Sequence, residues 1–373
     1  MSAADTTSTT TAERREERYY LASQWQLAWR KFRGHRLAIA GGWVLGAFYL
    51  LALCADFIAP YDVDLRSTYI YMPPQRVRVL ADGRLHAPFV YATESAVDMQ
   101  SFARTYTEDP SARYPVRLLV RGYEYRLLGL IPTRIHLFGV EEPATLFLFG
   151  TDNLGRDFFS RVMVAARVSL SIGLVGVALS FVLGVLLGGV SGYYGGTVDL
   201  FVQRLIEFLL SIPKIPLWMA LAAALPVDWP VVKVYFGITI ILSVIGWTGL
   251  ARVVRGKLLQ LRDEDYSTAA VVAGAADWQI ILRHLLPGFM SYLIVTLTLA
   301  IPEMILAETA LSFLGIGLKP PAVSWGVLLQ DAQNVRTVAL YPWLLLPGLF
   351  IIFTVLAFNF LGDGARDAAD PYR

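Results

Sequence analysis

Two acidic residues, Glu303 and Glu308, lie within a long apolar run in the C-terminal half of the chain. Charged side chains inside a membrane segment are costly, and they usually mark a substrate pathway or pair with another group. These carboxylates could therefore bind a cationic group on a transported substrate, or they could accept hydrogen bonds between helices. Arg204 and Glu207 lie one helical turn apart near the start of another apolar run, and we interpret them as a structural ion pair.

Other reactive residues are too scattered to suggest a catalytic or metal site. The four histidines lie far apart along the chain, and the single cysteine, Cys54, lies in an apolar segment where we expect it to pack. An intramembrane enzyme would need a nucleophile with a base, or clustered metal ligands. The chain also lacks Gly-x-x-x-x-Gly-Lys-Ser/Thr, a sequence that binds nucleotide phosphates. The sequence therefore predicts a protein that is not an enzyme and that binds no metal or cofactor itself.

The composition indicates a membrane protein. The 373 residues are 55% hydrophobic and only 17% charged, whereas soluble proteins are nearer about 45–50% apolar and about 25% charged. The formal net charge of +2 gives no indication of a nucleic-acid partner.

Apolar runs long enough to cross a bilayer predict an all-α polytopic protein with six transmembrane helices. Basic residues directly before the first run place the N-terminus in the cytoplasm, and an even number of spans returns the C-terminus there. The second span is predicted over 164–190 and the fourth over 231–253. The predicted divisions are a cytoplasmic tail with a basic amphipathic helix (1–36), the first span (37–60), a polar insert (61–160), a core with five spans (161–362) and a cytoplasmic tail (363–373).

The polar insert is predicted to be a small mixed, β-rich domain on the far side of the membrane. It is rich in proline and contains several short stretches of strand-like composition, at 76–80, 116–120, 123–128 and 133–138. About a hundred residues can bury a core, so the insert could fold by itself.

Glycine and proline predict two features of the spans. Gly184, Gly188 and Gly192 recur every four residues, which allows a second helix to approach closely. Pro213 and Pro216 bracket Lys214 and should interrupt the third span near the pathway. The candidate pathway or gate residues are therefore Pro213, Lys214, Pro216, Glu303 and Glu308.

The longest polar break in the C-terminal half runs from residue 255 to residue 287. An acidic triplet at 263–265 favours a helix start, so a short helix is predicted over 266–275, ending near Gly274. Asp277 is predicted to cap a second short helix, which Pro287 would close. The small residues on the first helix would let a partner's surface come close.

This break resembles the cytoplasmic coupling loop of bacterial ABC-importer permeases. Ala269, Ala270, Gly274, Leu286 and Pro287 match that loop in type and spacing, whereas a threonine and a histidine replace its usual Glu and Ile at 268 and 284. The resemblance implies that this loop docks on an ATPase. The implied coupling residues are Tyr266, Thr268, Ala269, Ala270, Gly274, Ala275, Asp277, Leu286 and Pro287.

A second motif precedes the core and resembles the segment that opens the core of the dipeptide/oligopeptide permease family. The matching residues are Phe149, Gly150, Thr151, Asp152, Gly155, Arg156 and Asp157. We interpret the motif as a glycine-rich turn in which Asp152 caps a short interfacial helix. Arg156 and Asp157 would then stay at the membrane surface.

The family resemblance implies the permease subunit of an ABC importer in the inner membrane of a bacterium. It implies a second permease subunit, giving a heterodimer, and two cytoplasmic ATPases that bind ATP and Mg²⁺. It also implies an extracytoplasmic binding protein and a peptide-like substrate. The long insert departs from the shortest members of the family. An ion-coupled secondary transporter is the alternative, because Glu303 and Glu308 could serve as coupling-ion residues.

Overall fold

The computed structural model describes residues 24–369, apart from 82, 98, 100–103 and 227. The polar start of the predicted N-terminal tail and the last four residues lie outside this part. The described helices are α1 Gln24–Gly34, α2 Arg36–Leu53, α3 Ala55–Ile58, α4 Phe158–Tyr194, α5 Gly196–Ser211, α6 Lys214–Ala223, α7 Val231–Leu261, α8 Asp265–Val272, α9 Asp277–Gln279, α10 Met290–Phe313, α11 Trp325–Leu328, α12 Val335–Leu340 and α13 Leu346–Ala369.

The described part of the chain confirms the predicted bundle of membrane helices. Five helical segments are long and apolar enough to cross a membrane, namely Arg36–Leu53, Phe158–Tyr194, Val231–Leu261, Asp277–Phe313 and Pro342–Ala368. The pair α5 and α6 supplies a sixth crossing if it is counted as one span. Its two halves meet at an angle of 88°, so the predicted interruption at Pro213 is confirmed.

Several helices extend beyond their predicted ends. Helix α4 covers 158–194 rather than 164–190, and α7 continues to Leu261, into the predicted polar break. The final helix continues to Ala369 and so includes residues 363–369 of the predicted tail. The cause is common to all three: apolar composition ends where the membrane ends, whereas backbone hydrogen bonding continues into water.

The glycine stripe of α4 packs directly against α7, as predicted. A Cβ atom added to Gly188 would lie 2.5 Å from the carbonyl oxygen of Ala251, and one on Gly184 would lie 2.9 Å from Leu250. Because neither position has room for a methyl group, the two backbones come close enough for extensive van der Waals contact. Helices α4 and α7 form the central pair of the bundle.

The insert consists of antiparallel strands in two sheets. The first sheet has the order β1–β2–β3 and the second pairs β4 with β5. The strands are β1 Arg78–Ala81, β2 Arg84–Val97, β3 Arg104–Pro115, β4 Arg117–Leu127 and β5 Ile131–Gly139. The long β2–β3 hairpin is absent from the sequence prediction, because most of its residues are exposed on both faces and show no alternation of apolar and polar types.

The insert is fixed to the membrane helices through a buried histidine. His136 on β5 is fully buried, and its ring nitrogens lie 3.0 Å from the carbonyl oxygen of Asp56 and 3.1 Å from that of Tyr123. Asp56 in turn accepts a hydrogen bond from Arg167 of α4 at 2.9 Å. The insert is therefore packed against α3 and the adjoining end of α4.

Candidate functional site

The glycine-rich motif before α4 holds the first segment of the insert in place. Gly150 and Gly155 both have positive φ, and a Cβ on either would lie within 2.4 Å of a backbone oxygen, from Met72 and Ser67 respectively. The Thr151 hydroxyl accepts a hydrogen bond from the Met72 amide at 2.8 Å and donates to the carbonyl of Tyr69. Glycine is required at both positions because of the close approach as well as the backbone angle.

The predicted role of Asp152 as a helix cap is wrong. Its carboxylate accepts hydrogen bonds from the amides of Leu154 and Arg156 at 2.9 and 3.0 Å, and from the Arg156 guanidinium at 2.7 Å. Arg161 lies 3.5 Å from the same carboxylate. Asp152 therefore closes a turn and lies between two arginines as a shared counter-charge rather than starting a helix.

Asp157 is the true cap of α4, and its side chain is buried within the protein. Its carboxylate accepts hydrogen bonds from the amide of Ser160 at 2.8 Å and from the hydroxyl at 2.5 Å. Arg156 is also mostly covered. Both side chains are thus largely covered within the protein, and their predicted place at the membrane surface stays a prediction. Burial raises the pKa of Asp157 to about 7 despite these hydrogen bonds.

The two acids of α10 have different surroundings. Glu308 is fully buried, and one of its oxygens accepts hydrogen bonds from the hydroxyls of Ser312 and Ser324, each at 2.8 Å. It thereby joins α10 to the segment that precedes α11. Glu303 is exposed and lines a large cavity. Of the two roles suggested by the sequence, Glu308 has the hydrogen bonds between segments, and Glu303 has the position on a cavity wall.

The cavity has a volume of about 1370 Å³ and lies along α6, α7 and α10. Lys214 at the start of α6 contributes to its wall, together with Trp218 and Glu303. Pro213 and Pro216 do not line it, although they flank Lys214 at the 88° bend. The wall is largely apolar with a few charged groups, which suits an organic solute that carries both charge and apolar surface.

The predicted coupling helix forms, but over slightly different residues. Helix α8 covers Asp265–Val272, and Gly274 follows it with a φ of +78°. The amide of Ala275 bonds to the carbonyl of Ala270 at 3.1 Å, which is a common way to end a helix with glycine in the left-handed conformation.

One face of α8 is anchored in the protein and the other is exposed. Ser267 and Ala270 are buried, and Ala270 packs in an apolar cluster with residues of α7 and the helix after α9. The exposed residues are Asp265, Tyr266, Thr268, Ala269, Val271, Val272, Ala273 and Gly274. Val272 is 84% exposed, so an apolar ridge projects from the bundle beside this anchored face.

The predicted second short helix is wrong at both ends. Asp277 does not cap the start of this helix. The amide of Ala276 there donates a hydrogen bond to the Gln279 side chain at 3.2 Å. The helical path does not close at Pro287 but runs on from Asp277 to Phe313. A π-helical turn over Ile280–Leu285 and a 3₁₀ turn over Leu286–Phe289 redirect the backbone hydrogen bonds and accommodate the proline.

Asp277 instead links the coupling segment to the end of α4. Its two carboxylate oxygens accept hydrogen bonds from the Tyr193 hydroxyl at 2.9 Å and the Tyr194 hydroxyl at 3.0 Å. Next to this link, Arg255 of α7 makes two bonds of 2.5 Å to Asp199 at the start of α5. The Ser191 hydroxyl near the end of α4 donates a hydrogen bond to the same Asp199 carboxylate at 2.5 Å. The end of α4 is therefore connected to α5, α7 and the coupling segment.

Sequence reasoning did not assign Tyr193, Tyr194 or Asp199 to this site. The tyrosine pair stands at the end of an apolar run and directly before Gly195, and paired aromatic residues at such a position are typical of a membrane interface. That signal locates the membrane boundary, but it does not reveal the partner.

A bundle of apolar helices around a wide cavity, with an exposed helix anchored at one end, defines a multi-pass membrane permease. A family model described as binding-protein-dependent transport system inner membrane component matches residues 181–372. A second, described as the N-terminal transmembrane domain of oligopeptide transport permease C, matches residues 23–74. The chain belongs to this family of binding-protein-dependent transport permeases.

Relatives with similar sequences carry related descriptions. A dipeptide transport system permease protein of Lactococcus lactis is 30% identical over 350 residues, covering 94% of this chain and 91% of the relative. Oligopeptide and dipeptide transport system permease proteins of Bacillus subtilis are 39% and 41% identical, covering 60% and 61% of this chain and 71% and 70% of the relatives. These similarities support the importer permease and not the ion-coupled transporter.

Proposed function

We propose that this chain forms half of the translocation pathway of an ABC importer for peptides or peptide-like molecules. Its relatives are described as dipeptide and oligopeptide permeases. The cavity supports the same substrate class, because its largely apolar wall also carries the acid Glu303 and four basic residues, namely Lys31, Lys214, Lys257 and Arg366. A peptide carries both terminal charges and apolar side chains, so it complements such a wall.

The partners are a second permease subunit, in a heterodimer, an extracytoplasmic binding protein and two cytoplasmic ATPases that hold ATP and Mg²⁺. The complex lies in the inner membrane of a bacterium, with both termini of this chain and α8 in the cytoplasm and the insert outside. ATP-driven closure of the ATPases moves α8, and the helices attached to it alternate access to the cavity. Nucleotide does this because it binds the two states with different affinity.

The observation that carries this proposal is the two-faced environment of α8. Ala270 is buried in the protein, whereas Val271 and Val272 are 56% and 84% exposed. An exposed apolar ridge on a helix that is fixed at its other face is suited to a partner's groove. Force applied to the ridge passes through Ala270 to the apolar cluster beneath it.

Replacing Gly274 with leucine tests the coupling role. The φ of +78° is unfavourable for any residue with a Cβ, although no atom lies within 4 Å of that position. The change therefore displaces the end of α8 without creating a clash in the core. In proteoliposomes of the complete importer, we expect ATP hydrolysis to continue while uptake per ATP falls at least several-fold.

Gly83 provides the matched control. It has a φ of +72°, also has no atom within 4 Å of a Cβ, and lies in the insert. Gly83→Leu should leave uptake per ATP close to that of the unaltered protein. Normal coupling in Gly274→Leu would refute the docking role.

A further inference from the structure

The turn between β4 and β5 exposes an unusual concentration of apolar side chains. Leu128, Leu130 and Ile131 are 52%, 80% and 60% exposed. Their stretch reads Leu-Leu-Gly-Leu-Ile and is flanked by Arg126 and, two residues beyond Pro132, by Arg134. We call residues 128–131 the apolar apex. No described side chain covers it, so water would meet these residues if nothing else did.

The backbone of the apex adopts a conformation that disfavours one of its exposed leucines. Leu128 has a φ of +54° and Gly129 a φ of +73°, and the amide of Gly129 bonds to the carbonyl of Arg126 at 3.0 Å. A hairpin turn with two positive φ angles normally has asparagine or aspartate before the glycine, because a leucine in this conformation is disfavoured. A soluble turn would gain nothing from an exposed leucine here. The apolar side chain therefore needs a contact outside the chain.

The course of β4 shows where the apex lies. A Cβ on Gly122 would lie 3.6 Å from the carbonyl oxygen of Pro60, the residue that follows α3 by two positions. Three residues further along β4, burial raises the pKa of Tyr125, and Asp56 and Cys54 are near enough to contribute electrostatically. The first part of β4 is therefore near Pro60, and a later part is near Cys54, the residue next to the end of α2. The strand heads towards the membrane-spanning helix.

The remaining residues of the strand continue in that direction. From Tyr125 to Leu127 the strand advances about 7 Å at roughly 3.3 Å per residue, and the turn that carries the apolar apex follows it. The polar headgroup layer on each side of a bilayer is only about 5–8 Å thick. The last turns of α2 expose Leu50 and Leu53, at 61% and 55%. The apolar apex therefore lies past Cys54 in the direction of the strand, within reach of the depth at which the exposed leucines of α2 would meet acyl chains.

The charges beside the apex fit the same surroundings. Among the described residues, Arg134 is paired with Glu124 at 2.7 Å, whereas Arg126 and Arg121 have no carboxylate partner. A guanidinium at the edge of an apolar surface can bind a lipid phosphate with two hydrogen bonds. Apolar residues at a tip with an unpaired arginine, Arg126, just behind it are the arrangement of a segment that enters a membrane interface.

We propose that the apolar apex, residues 128–131, inserts into the lipid leaflet beside α2, with Arg126 at the phosphate layer. The insert is then held at two places, by the contact of His136 with Asp56 of α3 and by lipid at the apex. This contact fixes the tilt of the β4–β5 hairpin relative to the bilayer. It does not depend on the substrate or on the coupling of α8.

The experiment uses the complete importer in lipid nanodiscs, with this chain carrying Cys54→Ala. Single cysteines are placed by Leu130→Cys and, as the matched control, by Leu85→Cys, because Leu85 is an equally exposed leucine (82%) on the other sheet of the insert. Each cysteine carries an environment-sensitive fluorophore. Lipids with a nitroxide high on the acyl chain report contact with the bilayer, and aqueous iodide reports contact with water.

We expect nitroxide lipid to quench the probe at position 130 at least three-fold more than the probe at position 85, and iodide to show the reverse order. Ile131→Cys should behave as Leu130→Cys does, which guards against a local effect of one substitution. Equal iodide quenching at 130 and 85 would overturn the proposal, because the apex would lie in water. Protection of position 130 from both quenchers would also overturn it, because another protein would then cover the apex.

Discussion

Among single residues, Asp157 shows how burial changes the chemistry of a helix cap. It starts α4, accepts two hydrogen bonds from Ser160 and is almost completely buried. One of its oxygens has no hydrogen-bond partner among the described residues. Removing water from a carboxylate penalises its charged form, so the folded protein keeps the proton to about pH 7.

The stability of the protein should therefore fall as pH rises through the interval between the unfolded and folded pKa of Asp157. Unfolded, the group ionises near its ordinary value of 3.8, whereas folded it ionises near 7. In this interval the folded state binds one proton more than the unfolded state. The loss in the free energy of unfolding therefore grows up to about pH 7 and stays constant above it. Its upper limit is roughly 4 kcal/mol, because one pKa unit corresponds to about 1.4 kcal/mol.

Asp157→Asn keeps the oxygen that accepts from Ser160 and removes the charge. We expect its unfolding temperature in detergent to exceed that of the unaltered protein by more at pH 8 than at pH 5. Asp228→Asn, at an exposed aspartate, is the control and should show no such trend. Parallel pH profiles of Asp157→Asn and the unaltered protein would contradict the expectation.

At the scale of elements, the link between Asp277 and the end of α4 is a candidate route for force from the coupling segment. Tyr193 and Tyr194 hold the carboxylate with one hydroxyl each, and their rings lie edge to face at 5.3 Å. Changing both tyrosines to phenylalanine removes the hydroxyls but keeps the rings. Exposed hydrogen bonds contribute little to stability, about 1 kcal/mol each, so folding should persist.

We expect the double variant Tyr193→Phe with Tyr194→Phe to transport several-fold less substrate per ATP hydrolysed, with its unfolding temperature changed by only a few degrees. Uptake and ATP hydrolysis measured on the same proteoliposomes give that ratio. Tyr114→Phe, in the insert, is the control. An unaltered ratio, under conditions in which Gly274→Leu is uncoupled, would exclude the link as a route for force.

The sequence predicts the elements of this protein better than their ends or their contacts. The apolar runs of α4, α7 and α10 are recognisable because lipid requires apolar residues, but lipid does not determine where a helix stops. The β2–β3 hairpin lacks a buried face and hence a pattern. The motif around Ala269, Ala270 and Gly274 can be recognised from the sequence because its residues are close together in the chain. The role of Asp277 cannot, because it depends on tyrosines more than eighty residues earlier.

On the scale of the whole molecule, the insert and the coupling segment lie at opposite ends of α4. Phe159 at one end packs against Phe138 of the insert, and Tyr194 at the other end binds Asp277. A helix of 37 residues is about 55 Å long at about 1.5 Å per residue. The apolar core of a bilayer is only about 30 Å thick, so the two ends emerge on different sides.

This arrangement predicts the topology of the chain. In a Cys54→Ala background, a membrane-impermeant thiol reagent applied to intact spheroplasts should label Leu85→Cys and leave Val272→Cys unlabelled. Inverted membrane vesicles stripped of the ATPase subunits, which would otherwise cover Val272, should give the opposite result. Both leucine and valine are more than 80% exposed, at 82% and 84%, so accessibility within the chain is matched. Labelling of both cysteines from one side would contradict the proposed orientation.

The length of α4 has one more consequence. The single continuous helix α4 joins the side where cargo would be delivered to the side where nucleotide would be consumed. Polar contacts hold both of its ends, Ser160 and Arg161 with residues 61 and 63 at one end and Tyr194 with Asp277 at the other. A displacement of either end is carried to the other without an intervening hinge. Arrival of a loaded binding protein on one side and the start of ATP hydrolysis on the other can therefore be coupled through the same displacement of α4.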